Sequence, residues 1–112
     1  MVVKVTSSPF GGQTRTRVLL ALRLLGDTYP RELSRLLETS VSGVQKALRS
    51  LEMDGLVAGR SVGRTRVYQL NPRYFAADAL AAYLARVAEP ESRLRERSAA
   101  LRRRPRRAGK PL

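Results

Sequence analysis

SVSGVQKALRSLEMDGLV, the stretch at residues 40–57, carries the pattern that decides the fold. Its apolar side chains recur every three or four residues, at Val41, Val44, Leu48 and Leu51. This spacing predicts a helix with one face in a core. Ser40 can cap the first turn of that helix, and Gly55 can end it in a left-handed conformation. We therefore predict a helix from residue 40 to about residue 54.

The other face of this predicted helix is polar. Its side chains all donate hydrogen bonds and follow the same spacing, at Ser42, Gln45, Lys46 and Arg49. In most helices a face of this kind only contacts solvent. The neighbouring elements and the charge of the chain favour a second interpretation, a surface that binds a polyanion.

Two shorter apolar patterns precede this helix. The first predicts a helix over residues 13–25, which Gly26 can close. Its apolar side chains are Val18, Leu19, Leu22 and Leu25. Pro30 suits the first position of a helix, and the leucines after it predict a short second helix to residue 37. Only two residues then precede Ser40, so the second and third helices must cross at a steep angle.

A β-hairpin is predicted after the three helices. Residues 56–60 and 65–70 are short and rich in β-branched and aromatic side chains, and residues 61–64 favour a turn. Three arginines cluster at the tip, at Arg60, Arg64 and Arg66. Charged residues can simply protect a hairpin edge from aggregation, but three at one tip favour contact with phosphates. A helical pattern resumes over residues 74–87, and Pro90 interrupts it.

Length and charge bound the class of protein. A chain of 112 residues suits one compact domain. Lys and Arg outnumber Asp and Glu by 22 to 9, which gives a net charge of +13. Residues 1–89 hold 13 basic and 7 acidic side chains, and residues 90–112 hold 9 and 2. Because both parts are basic, the charge favours a polyanionic partner over a tail that only aids solubility.

Cysteine and histidine are both absent. Their absence excludes disulfides, the common zinc ligands and the Ser-His and Cys-His catalytic pairs, so we expect neither an enzyme nor a bound metal or cofactor. No stretch reaches the roughly 18 apolar residues that a membrane span requires. We therefore expect a cytoplasmic protein without a membrane partner, associated with the nucleoid if its polyanion is DNA.

The order of these elements resembles the winged helix-turn-helix of ArsR-like bacterial and archaeal regulators. The resemblance rests on residues 40–57 and on GRSVGRTRVYQLNP at residues 59–72, and it spans about residues 10–88. It implies a mainly α fold with one small β-hairpin (α+β), built as a three-helix core, a wing and a C-terminal helix. Glu38 departs from the family, which usually has a glycine in this turn, and Gly43 is unusual inside a helix. Members that sense metals use Cys and His, so that activity is not implied here.

Three parts are expected along the chain. Residues 1–9 form an N-terminal extension, residues 10–90 the winged helix-turn-helix domain, and residues 91–112 a basic C-terminal tail. The end of the tail is dense in arginine and contains Pro and Gly, so we expect the tail to be partly helical and then disordered. A membrane-surface helix is disfavoured there, since its apolar face is little more than Leu94 and Leu101.

The resemblance implies that residues 40–54 form a recognition helix in the major groove and residues 60–66 a wing on the DNA backbone. A major groove about 12 Å wide admits one helix, whose first turns meet base edges. We predict contacts to nucleic acid from the helix, the wing and the tail. These residues are Ser40, Ser42, Gly43, Gln45, Lys46, Arg49, Arg60, Arg64, Thr65, Arg66, Arg102, Arg103, Arg104, Arg106 and Arg107. The predicted function is sequence-specific binding of double-stranded DNA by a small transcription regulator.

Two other functions stay open on the sequence: a module that binds RNA or a ribonucleoprotein, and a module that docks on a partner protein. Aromatic residues make up only 5% of the chain, which disfavours an RNA reader with stacking platforms. We also predict a homodimer, because a twofold protein reads two half-sites about 34 Å apart. The alanine-rich residues 74–87 either close on the core or pair with their copy.

Overall fold

The computed structural model describes residues 10–103. In chain order the elements are α1 (Gln13–Leu25), α2 (Pro30–Leu37), α3 (Val41–Met53), β1 (Val57–Val62), β2 (Thr65–Leu70), α4 (Ala77–Ala88) and α5 (Ser92–Arg103). This is the predicted α+β arrangement, with a helix-turn-helix at α2 and α3 and a two-stranded wing after it. The predicted extension at residues 1–9 and residues 104–112 of the predicted tail lie outside the described residues.

Helix α1 forms the centre of the core. Its bounds are those that the sequence predicts. Five consecutive side chains of this helix, residues 18–22, are at most 1% exposed. They are buried on every side because α1 contacts α2, α3, α4, α5 and β2. The helix-turn-helix and the C-terminal helices are therefore supported by the same central element.

A tight turn joins α2 to α3. Glu38 ends α2 in the left-handed region, with φ 55° and ψ 45°, where residues with a Cβ are rarely found. The amide of Thr39 then donates to the carbonyl oxygen of Ser34 at 3.1 Å. Ser40 caps α3 as predicted, because its Oγ accepts a hydrogen bond from the amide of Gly43 at 3.1 Å. The turn thus fixes where α3 begins relative to α2.

The wing differs from the predicted hairpin in its first strand. β1 extends to Val62, two residues further than predicted, and Val62 pairs with Thr65. Only Gly63 and Arg64 form the turn. Gly63 has φ 62°, and a glycine in this region allows a two-residue turn between antiparallel strands. The four-residue turn predicted at residues 61–64 is therefore wrong.

The base of the wing is joined to the α1–α2 loop. Thr28 and Tyr68 exchange two backbone hydrogen bonds, of 2.9 and 2.7 Å, as an isolated antiparallel bridge. Thr28 is fully buried and Tyr68 nearly so. Strand β2 is therefore held on both sides at Tyr68, by β1 and by the loop.

The C-terminal third packs against the core over more of its length than the sequence indicates. Helix α4 begins at Ala77, three residues later than predicted, and buries Leu80 and Leu84. Helix α5 contacts α1, α2 and α4, and its Leu94 is fully buried. The segment predicted as a basic tail therefore begins with a helix that belongs to the packed body. No described helix is long and apolar enough to cross a membrane.

Candidate nucleic-acid interface

Helix α3 is anchored by one face and exposes the other. Val44, Leu48 and Leu51 are fully buried, as predicted. The prediction is wrong for Val41, which is 37% exposed because it is the first helical residue and precedes the buried turns. The polar residues of the opposite face are all exposed, at Ser42, Gln45, Lys46 and Arg49. A helix held by its apolar face keeps these side chains directed outward.

Gly43 is explained by its contact with the cap. A Cβ at this position would lie 3.1 Å from Oγ of Ser40 and 3.4 Å from Cγ2 of Thr39. The first of these contacts is tighter than ordinary packing, so an alanine would press on the group that caps α3. The missing side chain also leaves the backbone of the first turn open to a close approach.

The two cations of the exposed α3 face have no ion pair with any described residue. Lys46 and Arg49 are both exposed, and neither forms a hydrogen bond to another side chain among residues 10–103. Arg15 differs, since it forms an ion pair with Asp54 at 2.8 Å beside the C-terminal end of α3. The available positive charge of α3 therefore lies on the face that the sequence predicts to contact bases.

The wing arginines fall into two groups. Arg60 forms an ion pair of 3.2 Å with Asp27 of the α1–α2 loop, and Arg66 forms one of 2.8 Å with Glu52 of α3. Arg66 also lies over the ring of Tyr68, 5.7 Å from its centroid. The hydrogen bond with the Glu52 carboxylate raises the pKa of Arg66 above its ordinary value. These two arginines are therefore paired with carboxylates at the protein surface, whereas an unpaired arginine is available to a ligand at once.

Arg64 lies at the turn of the wing and is exposed. Within residues 10–103 no acidic side chain pairs with it. Thr65, beside it, is also exposed and pairs with Val62 in the hairpin. Of the three predicted wing arginines, Arg64 is thus the one whose guanidinium is available without breaking an ion pair in the described part of the chain.

The predicted contacts in the tail have a different placement. Arg102 donates from Nε to the carbonyl oxygen of Leu25 at 2.6 Å and from Nη2 to that of Asp27 at 2.9 Å. Its guanidinium therefore faces the C-terminal end of α1. Arg103 is the last residue of α5. Arg104, Arg106 and Arg107 lie outside the described residues.

Sequence reasoning missed two cations on the helix-turn-helix. Arg31 and Arg35 are exposed, four residues apart on α2, and neither is ion-paired within residues 10–103. The signal was present, since both alternate with the buried leucines after Pro30. In helix-turn-helix proteins the first helix crosses the DNA backbone, so cations in this position suit phosphates.

Among residues 10–103 no group of three or more acidic, histidine or cysteine side chains is placed to hold a metal ion. A shallow groove separates α2 from α5, lined by Arg35, Leu36, Arg97, Ala100 and Leu101. The groove lies beside the helix-turn-helix and does not include the exposed face of α3.

Comparison with known proteins gives structural matches only. No protein-family model and no curated protein sequence matches the chain. The adhesin competence repressor AdcR of Streptococcus pyogenes has a TM-score of 0.60 and 20% identity, over 77% of this chain and 63% of that one. A point mutant of ZitR from Lactococcus lactis has a TM-score of 0.61 and 20% identity, over 82% and 62%. A probable transcriptional regulator from Pseudomonas aeruginosa has a TM-score of 0.52 and 21% identity, over 88% and 81%.

These matches confirm the predicted winged-helix fold. At 20 to 21% identity they establish a shared arrangement of helices and wing, and a shared fold does not by itself assign a function. The chain spans somewhat less than two thirds of the AdcR and ZitR chains, at 63% and 62% of their lengths.

Proposed function

We propose that the protein is a transcription regulator that binds double-stranded DNA, with α3 in the major groove and the wing on the neighbouring backbone. The observation that carries this proposal is the exposed face of α3. Its cations, Lys46 and Arg49, have no ion pair within residues 10–103, while Val44, Leu48 and Leu51 on the opposite face of the same helix are fully buried. The structural matches that are named as a repressor and as a transcriptional regulator agree with this function.

Base readout is assigned to the middle of α3. Gln45 suits adenine, and Lys46 and Arg49 suit guanine, because their donors match the base edges in the major groove. Ser42 belongs to the same exposed face and lies nearer the N-terminus of the helix. Anchoring of α3 by Leu48 and Leu51 supports this assignment, since specificity requires side chains that are held in one position.

Backbone contacts are assigned to groups that flank α3. Arg64 at the wing and the open first turn at Ser40 and Gly43 suit phosphates on either side of a groove. Arg31 on α2 extends the same positive surface. Thr65 follows Arg64 in the wing and is assigned to the same backbone contact. Arg60 and Arg66 are ion-paired in the same hairpin, so each must exchange a carboxylate for a phosphate to bind DNA directly.

The proposal extends to the tail and to assembly. Arg103 and the arginines at residues 104, 106 and 107 serve as a nonspecific DNA arm, whose affinity comes from release of counterions. A homodimer places two copies of α3 in successive major grooves about 34 Å apart. The protein then works in the cytoplasm, bound to the nucleoid. Sedimentation of the protein alone and with a selected duplex measures the stoichiometry directly.

Selection of bound fragments from random duplex DNA tests the function. We expect an enriched site with twofold symmetry. Lys46→Ala with Arg49→Ala should then weaken binding to that site by about 100-fold or more, because each base contact contributes about 1–3 kcal/mol of discrimination. The matched control is Arg73→Ala with Arg93→Ala, which removes the same charge from two other exposed positions and should cost only a few-fold.

Retention of both affinity and sequence preference by the Lys46 and Arg49 double variant would contradict the proposal. A structured RNA of similar length is the competitor in the same assay. Preference for that RNA over duplex DNA would favour an RNA-binding module. A stable stoichiometric complex with another protein, together with no duplex binding, would favour a docking module.

A further inference from the structure

The basic helix α5 directs two arginines along the protein surface toward earlier elements of the chain. Leu94 anchors the helix in the core, where it is fully buried, and α5 contacts both α1 and α2. Arg97 and Arg102 extend from α5 toward residues that lie 59 and 75 positions earlier in the chain. Arg97 contacts the turn before α3, and Arg102 contacts the α1–α2 loop, which is joined to the wing.

Arg97 contacts the turn of the helix-turn-helix. Its Nη1 donates to Oε2 of Glu38 at 3.0 Å, and its Nη2 donates to the carbonyl oxygen of Arg35 at 2.9 Å. Glu38 is the residue that ends α2 in the left-handed region, three positions before the first residue of α3. It is the only residue other than glycine with positive φ in the described part of the chain. The hydrogen bond from Arg97 lowers the pKa of the Glu38 carboxyl below its ordinary value, so the carboxylate stays charged to a lower pH than a free glutamate.

Arg102 contacts the loop that supports the wing. It donates to the carbonyl oxygen of Leu25, the last residue of α1, and to that of Asp27 in the loop after it. The carboxylate of Asp27 in turn accepts a hydrogen bond from Arg60 of β1 at 3.2 Å. The next residue in the loop, Thr28, forms the backbone bridge to β2. A continuous set of contacts therefore runs from α5 through this loop to the base of the wing.

We propose that α5 is a brace for the DNA-binding elements, in which Arg97 positions the turn before α3 and Arg102 positions the loop that holds the wing. These are positioning residues, and their charges act on the protein rather than on DNA phosphates. The inference rests on the proposed function for its effect on DNA binding. It also predicts an effect on the free protein, which is independent of that function.

Glu38 gives the sharpest test, because the brace and simple electrostatics predict opposite changes in DNA affinity when Glu38 is replaced by glutamine. Glu38→Gln removes a negative charge close to the proposed interface, so electrostatics alone would strengthen DNA binding. If the carboxylate positions the turn, the same variant should bind the selected duplex about two- to fivefold more weakly, the scale of a surface ion pair. Glu38→Asn should give the same loss, and it guards against misfolding because Asn tolerates the left-handed backbone.

Arg97→Gln and Arg93→Gln form a matched pair. Both remove one positive charge from α5, and Arg93 is exposed with no hydrogen bond or ion pair among residues 10–103. Arg97→Gln should weaken binding about as much as Glu38→Gln, without changing the slope of log affinity against log salt. If Arg97 instead contacted a phosphate, the slope would fall by about 0.9. The double variant of Glu38 and Arg97 should lose less than the sum of the two single variants, since both remove the same ion pair, while Arg97→Gln also removes the hydrogen bond to the carbonyl oxygen of Arg35.

Amide hydrogen exchange tests the brace without DNA. The amides of Thr39 and Val44, which close the turn and the first turn of α3, should exchange faster in Glu38→Gln and Arg97→Gln than in the wild type or Arg93→Gln. Arg102→Gln should speed exchange at Thr28 and Tyr68. Unchanged exchange at all four amides, or tighter DNA binding by Glu38→Gln, would overturn the brace. A protein that binds no duplex but shows the exchange pattern would refute the proposed function and keep the brace.

Discussion

Single residues set the start of helix α3. The hydroxyl of Ser40 accepts a hydrogen bond from the amide of Gly43. Because Gly43 has no side chain, there is room for that hydroxyl. The two positions therefore act together, one as the cap and the other as the space for the cap. The sequence alone indicates that Ser40 caps a helix. The reason for a glycine at position 43 requires the structure, which shows how close a Cβ there would lie to Oγ of Ser40.

Ser40→Ala should lower stability by about 1 kcal/mol, because the first turn of α3 loses its side-chain acceptor. For a domain of this size that corresponds to a fall in Tm of about 4–8 °C, measured by circular dichroism. Ser61→Ala is the matched control, since Ser61 is an exposed serine without a side-chain hydrogen bond among residues 10–103. Equal Tm values for the two variants would show that the cap contributes nothing.

At the scale of elements, the ion pairs divide the wing into a fixed base and an available tip. Glu52 and Asp27 hold Arg66 and Arg60, while Arg64 at the turn has no such partner within residues 10–103. In the sequence the three clustered arginines cannot be told apart. The structure separates them by which acidic residues from α3 and the α1–α2 loop lie within reach.

Arg64→Gln should therefore weaken DNA binding more than Arg66→Gln. We expect the salt slope to fall by about 0.9 for Arg64→Gln, since a phosphate contact is lost, and to change less for Arg66→Gln. Glu52→Gln should raise the slope by releasing Arg66 toward DNA. Fluorescence anisotropy titrations of one labelled duplex at several salt concentrations measure all three. The reverse order for the two arginine variants would contradict this division of the wing.

The contact between α5 and the helix-turn-helix has a pH signature. The pKa of Glu38 lies below its ordinary value of 4.5, and the hydrogen bond that Arg97 donates to the carboxylate is the largest cause. A lowered pKa in the folded state means that the stabilisation is present above pH 4.5 and is lost as the pH falls through the lowered value. The Tm difference between wild type and Glu38→Gln should therefore be present at neutral pH and shrink as the pH falls below that ordinary value. A difference that stays constant over this range would show that the carboxylate charge is not involved.

The same scale shows how far the sequence predicts the fold. The bounds of α1 and α2 follow from apolar spacing and from Gly26 and Pro30, which mark a helix end and a helix start. The end of β1 was missed because its last residues are exposed and carry no burial pattern. The packing of α5 was missed because its contacts are long-range. Arg97 and Arg102 donate to residues far away along the chain, and no local pattern predicts such partners.

At the scale of the whole molecule, the net charge of +13 separates into structural and available parts. Several arginines hold elements together through carboxylates or carbonyl oxygens, including Arg15, Arg97 and Arg102. Others, such as Arg49 and Arg64, are exposed without an ion pair in the described chain. The sequence predicts a polyanionic partner from the basic balance of both parts of the chain, but the list of contact residues depends on this separation.

A chain that ends at residue 103 should keep its sequence preference and lose nonspecific affinity. Residues 104–112 contain four basic side chains, at Arg104, Arg106, Arg107 and Lys110. Removing those that contact phosphates should lower the salt slope by up to about 0.9 for each. Repeating the fragment selection and the salt titration with the shortened chain measures both effects. An unchanged slope would show that the tail does not act as a DNA arm.

The backbone bridge between Thr28 and Tyr68 has a mechanical consequence for the wing. The bridge holds the hairpin near its base. Between Tyr68 and the turn, strands β1 and β2 pair only with each other. A two-stranded ribbon that is held at one end bends near that end and moves most at its tip, where Arg64 lies. In the proposed complex the tip of the wing can in this way adjust its position on the DNA backbone, while α3 keeps the same register on the bases.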